Sequence, residues 1–495
     1  MEFPIKSIDL TKGRGARLLT AFLILIGLYV CSISCQKDLE EHPKNIVEEN
    51  FYNTAEEVEA AVNAIFPPIR LGGQGIGTYN STLECHTDYA YGRASWAQFN
   101  EFEGLNTVNA NRVGDFWTTF YLCIRNANLV IANAPNGNAI SEEDINKYMA
   151  EAMFMRAWCY FHLVRDWGGV PLRIESNMEE RDVPRSTEEE VYGLIVSDLR
   201  FAEEYLPESS PQKGRPIKWA AKTLLSDVLL TLEDFATARD LAAEVINSSS
   251  FSLVEINDVD DFERIFGAEV VENPEEIFHF KYNRQGQGNY FPWIVSHPST
   301  GLHGAGGAFA QYSETTNLFY QEWDDDDLRK SLWYTMDFGM GDNTLLNRKF
   351  TDPGAPNEYG AINDFPLYRY PEVLLIFAEA ESRVNGVTSE AVDALNQVHR
   401  RAYGYNSSNL SPVDFDVAQF SPDTFIDAVL QEKAYEYQFE GKRWFDLKRT
   451  GKAADIILRN KDKNIAESHY LWPIPFSELN FNNAIDPTTD QNPGY

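Results

Sequence analysis

The stretch Trp219-Ala-Ala-Lys-Thr-Leu-Leu-Ser-Asp-Val-Leu-Leu230, followed after one turn by Asp234-Phe-Ala-Thr-Ala-Arg-Asp-Leu-Ala-Ala-Glu-Val-Ile246, decides the fold class. Both runs repeat apolar residues with the period of a helix. Small residues, Ala220, Ala221, Ser226, Ala238 and Ala242, stand where two helices would cross closely. A related pair recurs at Tyr370–Ala380 and Ser389–Ala402. A single helical hairpin leaves an apolar face open, and stacking hairpins covers it.

Each pair resembles a tetratricopeptide unit, and the rest of the chain extends the pattern. Thr54 with Glu57 at capping-box spacing opens a helix running to about Phe66, ended by Pro67-Pro68. Residues 70–80 read as a Gly-rich loop. Phe116, Phe120, Ile124, Ala127, Val130 and Ile131 form one amphipathic stripe, and Glu142 to Trp167 carries another, stopped by Gly168-Gly169. Ser186-Thr187-Glu188-Glu189 opens a helix to about Tyr205. Across residues 250–365 the helical period fades and Gly, Pro, Asn, Asp and aromatics dominate. That stretch reads as a loop-rich lobe inserted into a helical scaffold, where binding groups usually sit.

The N-terminus carries separate information. Lys6, Lys12, Arg14 and Arg17 precede an apolar run from Leu18 to Val30, with small Ser34 before Cys35. Charge, core length, small residue and cysteine follow in the order of a lipoprotein signal. The expected division is a signal peptide over 1–34, a lipidated acidic tether over 35–50 with Cys35 as the lipid site, a helical part over 51–250, the inserted lobe over 251–365 and a closing helical part over 366–495.

Bulk composition excludes several partners. With 42 basic and 75 acidic residues the net charge is −33. That field repels nucleic acid and anionic lipid, and leans the ligand toward neutral sugars unless a local basic patch overrides it. Beyond Cys35 only Cys85, Cys123 and Cys159 remain, too few for a closed disulfide framework.

Enzyme and metal signatures are weak. Ser299–Gly307 lacks the ending of a phosphate loop. Asp324 to Asp327 lacks the Gly and distal Glu of an EF-hand and reads as a solvated helix start. The eight histidines show no zinc spacing. No metal and no cofactor is expected. A glycosidase needs only two carboxylates, so that reading stays as the alternative.

Five blocks in order carry a wider likeness: Glu151–Pro171, Pro366–Ala380, Glu432–Gly451, Leu471-Trp-Pro-Ile-Pro475 and Gln491-Asn-Pro-Gly-Tyr495. The sequence resembles the RagB/SusD lipoproteins. The resemblance implies a mostly α SusD-like fold with four tetratricopeptide-like units and an irregular lobe. It implies a non-catalytic, cell-surface protein of the outer membrane that binds glycan and hands it to a SusC-like TonB-dependent transporter; some members take peptides. The lipid signal, read independently, agrees. Arg443, Trp444, Asp446, Glu151 and Arg156 in the blocks read as packing and pairing residues.

A sugar presents C–H faces and hydroxyl edges, so its site needs flat rings and hydrogen-bonding side chains. The loop Asp88-Tyr89-Ala-Tyr91-Gly-Arg93-Ala-Ser-Trp96-Ala-Gln-Phe-Asn100 offers both. In the family a loop near this place contributes to the glycan site, which points to Trp96, Arg93 and Asn100; Tyr89 and Asp88 lie beside them, Asp88 being equally suited to capping a turn. The second group is Tyr290 and Trp293 in the inserted lobe, with Tyr320 and Trp323 further on; each ring suits a small core as well as a platform. Trp96 and at least one of Trp293, Tyr290 and Trp323 are expected to face a shared groove.

Overall fold

Eight helices of thirteen or more residues follow one another among the described residues of the computed structural model: α1 (Thr107–Asn133), α2 (Glu142–Trp167), α3 (Glu188–Tyr205), α4 (Lys218–Thr231), α5 (Phe235–Asn247), α6 (Tyr370–Asn385), α7 (Ser389–Ala402) and α8 (Pro422–Glu436). The described residues are 51–70, 75–286 and 288–495. The signal peptide, Cys35 and the tether therefore lie outside them. Each long helix packs on the next in chain order, and α5 meets α6 directly across the inserted residues.

Local chemistry sets the helix ends. Thr54 and Glu57 form the anticipated capping box, though the helix is Ala55–Asn63 and Pro67–Arg70 makes a further helical turn. Ser141 Oγ accepts the Asp144 amide at 3.1 Å to start α2, and Gly168 ends it at φ +74°, a backbone that side chains resist. Thr187 caps α3 with Glu190 as its partner. The Gly-rich loop reading of 70–80 is corrected from Ile76 onward by a helix, Ile76–Cys85, all of whose residues are buried; 71–74 lie outside the described residues.

Strands β1 (Tyr91–Gly92), β2 (Glu276–Phe280), β3 (Gln311–Glu314), β4 (Trp333–Thr335), β5 (Thr344–Asn347) and β6 (Phe365–Arg369) make two small antiparallel sheets. The inserted residues pair β3, β5 and β4 among themselves and take their further strand partners from outside the insertion. One has the order β1-β3-β5-β4 and borrows β1 from the N-terminal part; the other pairs β2 with β6. Residues Tyr52–Tyr495 make one compact unit.

A buried ion network joins the parts. Arg369 at the end of β6 reaches Glu275 at 2.8 Å, Glu436 at 2.9 Å and Glu440 at 2.6 Å. Arg401 of α7 bonds Glu275 at 2.8 Å and Glu436 at 2.6 Å. Arg329 bonds Asp327 at 2.7 Å and Glu432 at 2.8 Å. Burial works against the Glu436 charge, yet the surrounding Arg401, Arg369 and Arg329 hold it well below the usual carboxylate range. Asp327, read as part of a solvated charge run, is thus a core residue; Asp324, Asp325 and Asp326 are exposed.

The sequence blocks that carry the family likeness hold part of this framework. Arg156 pairs with Asp198 at 2.8 Å and Glu175 at 2.6 Å, while Glu151 pairs with Arg215 at 2.5 Å. Asp446 pairs with Lys433 at 2.9 Å and Arg449 at 2.7 Å. Trp167 Nε1 donates to the Pro473 carbonyl at 3.0 Å, tying α2 to the Leu471–Pro475 block.

Candidate functional site

The loop-borne rings separate into a buried set and a surface set. Asp88 and Tyr89 belong to the first, which corrects their reading as sugar-facing groups. Asp88 is fully buried, with its carboxylate held by Arg443 and by Asn460 Nδ2 at 2.9 Å. Burial alone would raise its pKa; Arg443 more than offsets that and keeps it below the ordinary value. The Tyr89 hydroxyl donates to Glu84 and accepts the Phe439 amide at 2.9 Å. Trp323 is buried as well, stacked on Tyr435 at 4.1 Å with Nε1 on Asp327 at 2.8 Å, so it serves the core. Asn100 is buried too; its Oδ1 accepts the Gly92 amide at 2.6 Å and holds the loop shape. Tyr320 is half-buried beneath Lys330, whose Nζ lies 4.7 Å from the ring centre.

Trp96 lies half-buried on a short helical turn, Ala94–Trp96. Gly92 permits this turn: a Cβ there would lie 2.5 Å from the Trp96 carbonyl oxygen. Ala94 sits at φ +53°, a strained backbone for a side-chain-bearing residue. Arg112 from α1 lies over the Trp96 ring at 4.2 Å and donates to Asn109 Oδ1 at 2.7 Å and Ser95 Oγ at 3.1 Å. Arg93, at the other end of the turn, lies over Phe309 at 3.8 Å and donates from Nε to the Phe309 carbonyl at 3.1 Å. Phe309 in turn meets His297 at 4.6 Å and Phe338 at 5.2 Å, all three half-buried.

Tyr290 and Trp293 form a second group of rings. Their rings stack at 5.3 Å, and Tyr359 stacks on the other side of Tyr290 at 4.8 Å. Backbone pairing sets this register: Gly288 donates to the Tyr359 carbonyl at 2.6 Å and Asn289 to the Ala361 carbonyl at 2.7 Å. All three rings are half-buried. Burial, with Tyr359 and Glu358 nearby, pushes the Tyr290 hydroxyl up to about 12, so it stays a neutral donor. Arg112 also acts electrostatically on the Tyr290 hydroxyl, against the rise that burial causes. The backbone adds a second link: Arg93 donates to Ala310, Ala310 to Ile294, and Ala308 to Trp293, each at 2.8–2.9 Å.

The three stacked rings are half-buried, so part of their apolar surface and their hydroxyl groups stay in contact with solvent. That suits a ligand with both C–H faces and hydroxyls. Reading the sequence alone missed Arg112, Tyr359, Phe309 and Phe338. Arg112 sits in a helix as an ordinary surface charge, and Tyr359 lies in a Pro, Asn and Gly segment without period.

Two other places were candidates for chemistry. A cavity of about 210 Å³ lies among the helices, lined by Arg165, Asp227, Glu372, Lys442, Lys448 and others. It is edged chiefly by paired charges, such as Lys442 with Glu372 at 3.0 Å, and lacks the ring stack. Glu276, His279 and Asp364 bring ligand atoms within 4.8 Å of one another. Lys281 already sits there, 2.6 Å from Glu276 and 2.7 Å from Asp364, supplying the countercharge.

Comparison with known proteins agrees with this architecture. The family model described as "SusD family" matches residues 278–495, and the one described as "Starch-binding associating with outer membrane" matches 39–230. The chain belongs to the SusD/RagB family. It is 28% identical to SusD-like protein P2 of Formosa agariphila, over 96% of this chain and 99% of that one. A SusD homolog from Bacteroides thetaiotaomicron shares the fold at TM-score 0.77 and 22% identity, covering 90% of this chain and 98% of its own. Surface glycan-binding protein A of the same organism, solved in complex with laminarihexaose, superposes at TM-score 0.74 and 21% identity, covering 89% and 99%. Among the described residues no helix is long and apolar enough to cross a membrane.

Proposed function

We propose that this protein binds an oligo- or polysaccharide at the outer-membrane surface, without cleaving it, and delivers it to a SusC-like TonB-dependent transporter. The observations that carry the reading are the half-buried Tyr359–Tyr290–Trp293 stack and the half-buried Trp96 under Arg112. Family membership and a fold neighbour that holds laminarihexaose support it. Attachment through a lipid on Cys35 belongs to the same proposal.

Calorimetric titration of the soluble chain against a panel of oligosaccharides tests the binding step. One member of the panel should bind, and no new reducing ends should form on incubation. Release of reducing ends would replace this reading by the glycosidase one. Delivery is tested by co-purification with a SusC-like transporter from the native membrane, and anchoring by loss of radiolabelled palmitate in Cys35→Ala.

A further inference from the structure

We infer that the ring face takes an acidic sugar, one carrying a carboxylate or a sulfate ester. The inference rests on the glycan-binding reading above and names its ligand class.

Two guanidinium groups bracket one turn. Arg93 stands at its start, and Arg112 bonds Ser95 within it. Three residues of chain span at most about 10 Å, so the two anchoring points are close. Neither arginine has a carboxylate within ion-pair distance among the described residues. Core arginines behave otherwise: Arg156, Arg329, Arg369, Arg401, Arg443 and Arg449 each hold one or more. In a chain with 75 acidic and 42 basic residues, two guanidiniums without an ion-pair partner among the described residues meet at one turn. Asp115 acts on Arg112 electrostatically without forming an ion pair with it among the described residues, and Glu358 acts on the Tyr290 and Tyr359 hydroxyls.

The donors are also free in number and set in direction. A guanidinium has five N–H groups. Arg112 spends two of its groups on Asn109 and Ser95, and Arg93 two on the Phe309 and Ala308 carbonyls. Stacking on Trp96 and Phe309 fixes the planes and keeps them weakly hydrated. A planar fork so held matches a carboxylate or sulfate in two bonds, while the neighbouring rings cover the sugar's C–H face. The chain's overall negative field does not oppose this, because charges beyond about 8–10 Å are screened in physiological salt.

Native affinity gels containing alginate, dextran sulfate, laminarin or neutral dextran test the inference on the intact soluble chain. Retention is expected on alginate if the anion is a carboxylate, or on dextran sulfate if it is a sulfate ester. It should weaken with added NaCl and fall about tenfold or more in Arg93→Gln and in Arg112→Gln, with Arg112→Lys keeping part of it. Unchanged melting temperatures verify that these variants fold. Retention on laminarin or dextran alone, dependent on Trp293, would overturn the inference and leave the glycan-binding reading standing. So would retention on a charged gel that both Gln variants match. Retention on none of the four gels overturns both.

Discussion

Arg443 forks onto Asp88 across 355 residues of sequence, with Nε at 2.9 Å and Nη2 at 3.0 Å from the two carboxylate oxygens. Both groups are fully buried, and the Arg443 Nη1 bonds the Leu430 carbonyl at 3.0 Å. The bond joins the loop that precedes Trp96 to the third sequence block. Asp88→Asn leaves the guanidinium uncompensated and should cost about 3–5 kcal/mol in a denaturant titration. Adding Arg443→Met should recover part of that loss, since the orphaned charge then disappears. A double variant no more stable than Asp88→Asn contradicts the pairing.

Removing a ring from the surface set should weaken glycan binding and spare the fold. Trp293→Ala and Tyr359→Ala should each lose about 1–2 kcal/mol of affinity, near tenfold. Trp323→Phe should leave affinity unchanged while lowering the melting temperature, because it loses the Asp327 hydrogen bond in the core. Calorimetry and thermal melting on the same samples separate the two effects.

Glu84 gives a pH prediction. Burial raises its carboxyl from 4.5 to about 7, against hydrogen bonds from Tyr89 and Gly441 that lower it. Between pH 4.5 and 7 the folded chain therefore keeps a proton that the unfolded chain has released. The group's contribution to stability falls as pH rises through that window. Glu84→Gln lacks the titration. Its stability relative to the parent should rise by roughly 3 kcal/mol from pH 4.5 to pH 8. A difference that stays flat with pH would show that Glu84 titrates normally.

The three described thiols, Cys85, Cys123 and Cys159, are all buried and free, and burial lifts Cys85 to about 11. Ellman's reagent should find none of them in the native protein at pH 8 and all three after guanidinium unfolding. Rapid reaction in the native state would mean that the helix Ile76–Cys85 or the α1–α2 contact opens.

The helical scaffold was readable because its signals are local. Thr54 and Thr187 announce helix starts within four residues, and the stripes of α1 and α2 repeat every turn. The sheets gave no such signal: β1 has two residues, too few for any alternation. The glycines before Ile76 masked a buried helix. Trp96, Tyr290 and Trp293 were legible as loop rings, and the structure leaves them at the surface. Nothing near Asp88, Tyr89 or Trp323 distinguishes them from surface groups. Their partners Arg443, Phe439 and Tyr435 lie more than a hundred residues away.

The borrowed strand β1 has a consequence for biogenesis. Ser313 Oγ bonds the Tyr89 carbonyl across 224 residues, and Tyr91–Gly92 has no sheet to join until β3 exists. Ribosomes add about 5–20 residues per second, so this segment waits roughly 10–45 s for its partner. Throughout that interval the backbone of Tyr91–Gly92 lacks the strand that pairs with it in the folded protein.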